Sequence, residues 1–409
     1  MKKFPRNIVA PHVLLSFGFG ILGLFLMGCP ENPSSPSLYD PNYTGKPAPT
    51  LTGISPSTGA LAGVTTITLT GSGFATSLAD NYVFFDALQA NLQQVTATQV
   101  VLTAPILPKD SIRVVVTVKG SAQFSNAILY KLDTAVTVFG SLATTEEPYG
   151  VTCDSSGNLF VSMTNSGSGV GTKKFTPLGV RSDYAPSAGV AAFSALKVGP
   201  TGILYGSRGP RALYQIDPVN GPSVWVGPAS GVGSISDFDF DALGNAWGGG
   251  NDVAISRINK NKEVKLFTVN VGDVKSVRVY NGYLYAAATT GTSSDIWRFQ
   301  LISADTSLGT AEKYFAFSTQ YAASAVPFAI TFSSDGYLYI GTDGLDGIIL
   351  VRPDKTWEPY YPGQFKPQTL TFGWGKGSDL FLSRSGSAAT HVIVKVNTQK
   401  SSAPYYGRQ

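Results

Sequence analysis

The sequence predicts an all-β fold in which a β-sandwich is followed by a six-bladed β-propeller. A strand–turn–strand pattern with a glycine in its turn recurs along the C-terminal two thirds of the chain. The turn glycines lie 38 to 54 residues apart, at Gly157, Gly202, Gly244, Gly282, Gly336 and Gly377. Six units of about this period are typical of a propeller with one sheet per unit. The composition, 43% hydrophobic with 45 glycines, suits a β-rich globular protein.

Residues 1–28 have the pattern of a secretion signal, with three cations followed by an apolar run from Val13 to Met27. An uncleaved membrane helix is the alternative interpretation of this run. The segment ends in Leu26-Met-Gly-Cys29, which resembles the lipobox of bacterial lipoproteins. That resemblance implies that Cys29 becomes the new N-terminus and carries the lipid that holds the protein on a membrane. Because Pro30 follows the cysteine, an outer-membrane location is favoured, facing either the periplasm or the cell surface.

Without residues 1–28 the chain has 27 basic and 26 acidic residues, so there is no basic surplus for binding nucleic acid. Once Cys29 carries lipid, Cys153 has no second cysteine to pair with, and we expect it to be an inert buried thiol. Residues 29–47 are rich in proline and serine and lack apolar periodicity, which predicts a flexible tether.

Residues 48–132 are predicted to form the sandwich. Apolar and polar residues alternate in Thr66-Ile-Thr-Leu-Thr70 and in Ile112-Arg-Val-Val-Val-Thr-Val118, as in half-buried strands. The pattern Pro49-x-Leu-x-x-Ile54-x-Pro56-x-x-Gly59-x-x-x-Gly63, continued by Thr66-Ile-Thr-Leu-Thr-Gly71-x-Gly-Phe74, resembles the IPT/TIG family. This resemblance implies an immunoglobulin-like domain that serves as a spacer or interaction module and has no active site.

Residues 133–409 are predicted to form the propeller. The first repeat resembles the NHL family through Pro148, Gly150, Asp154, Gly157 and Asn158. The resemblance implies six blades of four strands each. Two segments compete to be the strand that closes the ring, residues 135–139 and residues 402–406.

The aspartates of the repeated turns have a structural interpretation. Asp154, Asp241 and Asp335 lie at or near a β-turn, where an aspartate side chain accepts bonds from backbone N–H groups. Asn281-Gly282 predicts a two-residue hairpin turn in the fourth repeat.

Strand alternation separates two columns of residues on the innermost strands. One column is apolar and is predicted to form the core between blades. The other is predicted to line the central channel and consists of Thr152, Lys197, Asp239, Arg278, Thr331 and Thr371, with Asp237 one step earlier. Neighbouring blades then bring Lys197, Asp239 and Arg278 together. They are either a paired charge cluster that fills the channel or the floor of a ligand pocket.

The opposite rim, where the innermost strands begin, offers a second set of candidate ligand-binding residues. Aromatic rings with nearby amides and guanidinium groups are what a sugar or peptide ligand requires. The set consists of Tyr149, Phe328, Arg208, Arg211, Asn251, Asp252 and Asp343.

The sequence favours a non-catalytic binding or scaffolding protein of the cell envelope, whose ligand is a glycan or a partner envelope protein. The domain order resembles that of surface binding lipoproteins in polysaccharide-uptake systems. After residue 28 one histidine remains, His391, so metal sites and lyases that need several histidines are excluded. No catalytic residue, metal ligand or cofactor is assigned. Two alternatives remain, a calcium-dependent propeller hydrolase of the lactonase type or lyase, for which Asp237 and Asp239 are the available acids, and a purely structural envelope protein.

Overall fold

The structure, a computed structural model, describes residues 45–208, 212–303, 307–384 and 391–405. The predicted lipid-attachment residue Cys29 and Arg211 lie outside the described residues. The described chain is almost entirely strand and turn, which confirms the all-β prediction. In this part of the chain, no helix has both the length and the apolar character that a membrane crossing requires.

The first part of the described chain is a sandwich of two four-stranded antiparallel sheets, with strand orders β1-β2-β6-β5 and β4-β3-β7-β8. Its strands are β1 (Thr50–Ser55), β2 (Thr66–Ser72), β3 (Asn81–Phe85), β4 (Leu88–Gln89), β5 (Leu92–Val95), β6 (Gln99–Thr103), β7 (Lys109–Val118) and β8 (Ile128–Leu132). The alternation in β2 buries Ile67 and Leu69, which pack on Val83, Phe85 and Leu102 between the two sheets. The immunoglobulin-like sandwich is therefore confirmed.

The rest forms a six-bladed propeller, in which each blade is an antiparallel sheet ordered from the channel outward. The innermost strands of successive blades contact one another, and the last contacts the first, so the ring is closed. Blade 1 consists of β10 (Glu146–Cys153), β11 (Leu159–Asn165), β12 (Ser168–Phe175) and β13 (Arg181–Ala185). Blade 2 consists of β14 (Ala195–Val198), β15 (Leu204–Arg208), β16 (Ala212–Asp217) and β17 (Gly221–Val226). Blade 3 consists of β18 (Asp237–Phe240), β19 (Ala246–Gly249), β20 (Ala254–Ile258) and β21 (Val264–Thr268).

Blade 4 has a fifth strand, and a short helix, α1 (Phe317–Gln320), follows it. Blade 4 consists of β22 (Asp273–Tyr280), β23 (Tyr283–Thr290), β24 (Ser293–Ser303), β25 (Ser307–Leu308) and β26 (Glu312–Phe315). Blade 5 consists of β27 (Pro327–Phe332), β28 (Leu338–Thr342), β29 (Ile348–Val351) and β30 (Trp357–Pro359). Blade 6 consists of β31 (Thr369–Trp374), β32 (Asp379–Arg384), β33 (Val392–Asn397) and β9 (Val136–Phe139). Single 3₁₀ turns lie at Leu78–Asp80, Pro200–Gly202 and Pro228–Ser230.

The ring is closed by β9, which pairs with β33 as the outer strand of blade 6, from Phe139 opposite Ile393 to Val136 opposite Val396. This confirms one of the two competing predictions. The described part of the other segment, residues 402–405, does not form a blade strand. Ser402 forms an isolated bridge with Ser333, at the end of the innermost strand of blade 5.

The repeated turns follow the predicted chemistry with one difference. Asn281 and Gly282 both have positive φ, 47° and 78°, as the two-residue hairpin requires. Asp154 accepts the Asn158 N–H, and Asp241 accepts the equivalent N–H groups of its own turn. In blade 5 the hydroxyl of Ser333 accepts the Tyr337 N–H instead, and Asp335 binds that hydroxyl and the Lys400 ammonium.

A short connection joins the sandwich to the ring. The Asp133 N–H donates to the Ala60 carbonyl at 2.8 Å, and the Asp133 carbonyl accepts from the Ala62 N–H at 2.9 Å. The side-chain amide of Gln364, from the propeller, donates to the Ala62 carbonyl at 3.2 Å. These bonds tie the connection and the propeller to the Ala60–Ala62 stretch of the sandwich.

Candidate functional site

The channel side chains come from equivalent positions of the six innermost strands. Each of these positions lies directly opposite a buried aromatic residue on the second strand of the same blade. The pairs are Thr152 with Phe160, Lys197 with Tyr205, Asp239 with Trp247, Arg278 with Tyr285, Thr331 with Tyr339 and Gly373 with Phe381. The aromatic residues fill the space between blades and hold the channel position at the same height in each.

The prediction that Thr371 belongs to this column is wrong, because Gly373 occupies the equivalent position in blade 6. Residues 375–379 lie between the paired residues Trp374 and Leu380, and Gly377 lies one position earlier among them than Gly157 does in the turn of blade 1. An alignment on the turn glycines therefore points to Phe372, between Thr371 and Gly373, and does not separate these two neighbours.

A second level of polar side chains lies nearer the start of the innermost strands, and it links neighbouring blades. Asp237 Oδ2 accepts the Val277 N–H at 3.0 Å, and the Ser276 hydroxyl accepts the Ile330 N–H at 3.1 Å. The Thr371 hydroxyl accepts the Val151 N–H at 3.2 Å. These bonds tie blade 3 to blade 4, blade 4 to blade 5 and blade 6 to blade 1.

Four charged side chains from blades 2 to 4 meet in the channel as predicted. Lys197, Asp237, Asp239 and Arg278 are 7%, 5%, 7% and 8% exposed. Arg278 Nη1 lies 3.1 Å from Asp237 Oδ2, and Lys197 Nζ lies 3.5 Å from Asp237 Oδ1. Asp239 Oδ2 accepts the Val279 N–H at 2.9 Å. Asp237 is therefore the shared anion of two buried cations.

Burial and pairing separate the pKa values of the two aspartates. Burial opposes the ionisation of both. At Asp237 the charges of Lys197 and Arg278, together with bonds from Ser276 and Val277, outweigh burial and lower the pKa. At Asp239 burial prevails and raises the pKa. Asp237 therefore favours its anionic form, and Asp239 takes up a proton more readily.

Lys197 is the least satisfied of the four. Burial, with repulsion from Arg278, lowers the pKa of its ammonium to about 8 even though Asp237 is close. Asp237 does not restore the ordinary pKa of Lys197, because it also pairs with Arg278 and lies 3.5 Å from Lys197 Nζ. An ammonium has three donors. Among the described residues, the Lys197 ammonium has Asp237 as its one polar partner.

Lys197, Asp239 and Arg278 form the floor of a cavity of about 40 Å³, which has room for a few water molecules. The cavity lies where the innermost strands end. Its wall consists of Val279, Tyr280, Phe332, Phe372, Trp374, Ala403, Pro404 and Tyr405, beside the channel residues Thr152, Thr331 and Gly373. Ligand sites for drug-sized molecules measure about 300–1,000 Å³, so the cavity is too small for such ligands in this conformation.

A larger depression of about 430 Å³ lies beside the cavity, over the turns of blades 3 and 4. Pro404, Tyr405, Val279 and Tyr280 line both spaces. These four residues therefore form the partition between the closed cavity and the open surface.

The candidate residues of the opposite rim are not brought to this cavity. Tyr149 donates its hydroxyl to Glu147 Oε2 at 2.9 Å, Arg208 ends β15, and Asn251 is exposed beyond β19. In an antiparallel hairpin the start of the first strand and the end of the second lie at the same end of the sheet. The three residues therefore lie at the other end of the channel from the cavity. Asp237 lies beneath the cavity floor rather than in its lining.

Sequence reasoning missed the wall of the cavity. The pattern of the segment that contains Ala403, Pro404 and Tyr405 predicts only a competing blade strand. Its small and aromatic residues indicate burial, but nothing in the sequence gives its position over the channel. Trp374, whose indole N–H donates to the Thr331 hydroxyl at 2.9 Å, was hidden by the register shift in blade 6.

Metal-ligand types do not cluster in the part of the chain that the structure describes, where no three His, Cys, Asp or Glu side chains form a group able to hold an ion. His391 Nδ1 lies 3.8 Å from Glu147 Oε1, beside Tyr149 at the opposite rim. Cys153 is buried, as predicted, in the core between blades 6 and 1.

These observations define an all-β protein in which an immunoglobulin-like sandwich is joined to a six-bladed propeller with a charged channel. Residues 49–132 match the IPT/TIG domain family, as their motif predicts. No curated protein matches the chain.

Solved structures share the fold at low sequence identity. A protein of unknown function from Bacteroides thetaiotaomicron is 16% identical with a TM-score of 0.51, over 88% of this chain and 99% of its own. A putative phosphatase from the same organism is 10% identical with a TM-score of 0.54, over 87% and 98%. An auxiliary nutrient binding protein from that organism is 11% identical with a TM-score of 0.47, over 88% and 98%. These likenesses concern the fold alone.

Proposed function

We propose that this protein is a non-catalytic binding or scaffolding module of the cell envelope, and that its binding site is the channel end formed by the closed cavity and the adjoining depression. The observation that carries the proposal is Lys197. A buried ammonium with one partner at 3.5 Å is a costly arrangement, because two of its donors have no acceptor among the described residues. A ligand that brings a carboxylate or hydroxyl oxygen to the cavity supplies that acceptor.

The surroundings support the recognition of a ligand with both an apolar and a polar side. Tyr280 and Tyr405 are half-buried at the edge of the cavity, above the charged floor. Convergent polar groups beneath aromatic walls are the usual composition of a ligand site. A glycan and a segment of a partner envelope protein, the two ligand classes that the sequence predicts, both offer such a pattern.

The experiment compares the unchanged chain with Lys197→Met. Calorimetric titration with a panel of purified polysaccharides, and cross-linking to envelope proteins, are expected to show saturable binding that Lys197→Met weakens about tenfold. Lys376→Met, an exposed lysine on the same face, is the matched control and should bind normally. Absence of binding to both classes, or equal binding by the two variants, would remove this site from consideration.

The carboxylates of the channel are engaged in a way that disfavours the calcium alternative. Asp237 accepts bonds from the Phe238 and Val277 N–H groups, the Ser276 hydroxyl and Arg278. A calcium ion would have to displace these donors. Addition of calcium to chelator-treated protein, followed by measurement of Tm, tests this alternative, which a clear rise would restore.

The envelope location rests on Leu26-Met-Gly-Cys29 and the tether that follows it. Under this proposal Cys29 carries the lipid, and the tether holds the sandwich and the propeller away from an outer membrane. Mass spectrometry of the N-terminal peptide is expected to show an acylated Cys29, and Cys29→Ser should release the protein from the membrane fraction. An unmodified cysteine in membrane-bound protein would contradict it.

A further inference from the structure

Residues 401–405, here called the mouth segment, lie across the end of the channel as an extended peptide. The Ser334 N–H donates to the Ser401 carbonyl at 2.8 Å, and the Ala403 N–H donates to the Phe332 carbonyl at 3.0 Å. Between these two bonds Ser402 pairs antiparallel with Ser333. The mouth segment thus extends the pairing of blade 5 beyond the end of β27, the way in which an added peptide strand binds a sheet edge.

The side chains of the mouth segment occupy places of defined size. Ala403 is 9% exposed and packs in the apolar cluster that contains Phe332. Pro404 lies between the closed cavity and the depression. The Tyr405 hydroxyl donates to the Trp374 carbonyl of blade 6 and lies 3.4 Å from the Cys153 carbonyl of blade 1. Three blades therefore receive one short peptide, through a small residue, a proline and a tyrosine.

None of these contacts depends on the connection of the mouth segment to β33. The backbone bonds are made by any extended peptide, and the proline position needs no N–H group. The receiving groups, which are the Phe332 and Trp374 carbonyls, the Ser334 N–H and the place that Ala403 fills, all belong to the blades. The blades alone therefore form a complete docking surface.

We propose that the channel end is a docking site for an extended peptide in which a small residue, a proline and a tyrosine follow one another, and that the mouth segment occupies this site in cis. The competing peptide is a segment of a partner envelope protein. This inference rests on the proposed function and specifies its partner.

Displacement of the mouth segment would open the channel. Ala403, Pro404 and Tyr405 leave the wall together, so the closed cavity joins the depression and Lys197 becomes accessible. Lys400, the residue before the mouth segment, has contacts of its own that the displacement need not break, because its ammonium pairs with Asp335 at 2.5 Å and lies 3.8 Å above the Tyr337 ring.

A tethered segment competes at an effective concentration on the order of millimolar, so the unchanged chain must bind a free peptide weakly. The experiment therefore uses the full chain with Ala403→Asp, which places a carboxylate in the apolar cluster and expels the mouth segment. The probe is the end-blocked peptide Ser-Ser-Ala-Pro-Tyr, titrated by calorimetry. We expect it to bind Ala403→Asp about tenfold or more tightly than the unchanged chain.

Three controls test the stated chemistry. Leu345→Asp adds the same charge at a residue of blade 5 that is 92% exposed, and it should bind the peptide as weakly as the unchanged chain. The peptide Ser-Ser-Asp-Pro-Tyr should bind neither variant. The peptide Ser-Ser-Ala-Pro-Phe should bind Ala403→Asp about fivefold more weakly than Ser-Ser-Ala-Pro-Tyr does, since one hydroxyl bond is lost.

The outcomes separate this inference from the proposed function. If folded Ala403→Asp does not bind the peptide, the peptide site is overturned. If the same variant gains affinity for a polysaccharide instead, the peptide site is overturned while the binding function stands. Should Ala403→Asp fail to fold, Tyr405→Ala loosens the mouth segment without a buried charge, and the same gain over the unchanged chain is required of it.

Discussion

The two halves of the channel use one backbone plan for different chemistry. Blades 2 to 4 place Lys197, Asp239 and Arg278 at the channel position, whereas blades 5, 6 and 1 place Thr331, Gly373 and Thr152 there. All six positions lie opposite a buried aromatic residue. The difference therefore lies in the channel side chain alone. The repeat determines the position, and departure from the repeat determines the chemistry.

In the neutral half the backbones of neighbouring blades approach closely, whereas in the charged half neighbouring blades are joined by ion pairs. At Gly373 an added Cβ would lie 3.0 Å from the Thr152 Cα, tighter than ordinary packing allows, so blades 6 and 1 meet here because the position is glycine. The mouth segment crosses this half, through Tyr405 and the carbonyls of Trp374 and Cys153. One half thus holds the covering peptide, and the other supplies the polar floor.

The largest expected effect breaks the charged half at its shared anion. Asp237→Ala removes the partner of Lys197 and Arg278 and leaves both cations buried. We expect it to lower the free energy of unfolding by about 3–5 kcal/mol, the usual cost of leaving a buried charge uncompensated. Urea unfolding followed by tryptophan fluorescence measures the change.

Asp110→Ala is the matched control for that loss. Asp110 also pairs with a lysine, Lys131, at 3.0 Å, but the two side chains are 90% and 53% exposed. An exposed pair contributes about 0–1 kcal/mol. Equal losses in the two variants would mean that the channel cluster is solvated like a surface pair, and the distinction between the two halves would lose its energetic meaning.

The second effect concerns pH and isolates Lys197. Its folded pKa of about 8 lies below the ordinary 10.5, so between these values the unfolded chain binds more protons than the folded one. The free energy of unfolding therefore rises with pH across that window, and the full cost of the buried charge is present below pH 8. The gain across the whole window amounts to roughly 3 kcal/mol.

Lys197→Met removes this titration, while groups distant from the channel titrate equally in both chains. At pH 7 the variant is expected to be the more stable of the two, because a buried cation with a distant partner has been replaced by an apolar chain of similar length. The gap should narrow as the pH approaches 10 in unfolding experiments at matched ionic strength. A gap that is constant with pH would show that Lys197 is not destabilised by burial.

The sequence predicted the architecture because the architecture is periodic. Repeated turns and alternating strands are local signals, and they located Lys197, Asp237, Asp239 and Arg278 in one channel. The position of the mouth segment was not predictable in the same way. Its contacts with Ser333 and Phe332 form between residues about 70 positions apart that share no periodic pattern with it. Gly373 was missed because a turn glycine moved by one position.

The smallest effect sharpens the comparison within the neutral half, where two threonines occupy equivalent positions but differ in bonding. The Thr331 hydroxyl accepts the Trp374 indole N–H at 2.9 Å, so Thr331→Val leaves a buried donor unpaired and should cost about 1–3 kcal/mol. Thr152 faces the cavity, so Thr152→Val should change stability by less than about 0.5 kcal/mol. Thermal unfolding of the two variants side by side measures the difference. If both substitutions lower the stability equally, the neutral half is uniform. The Trp374 bond then does not distinguish blade 5, which carries the mouth segment, from blade 1.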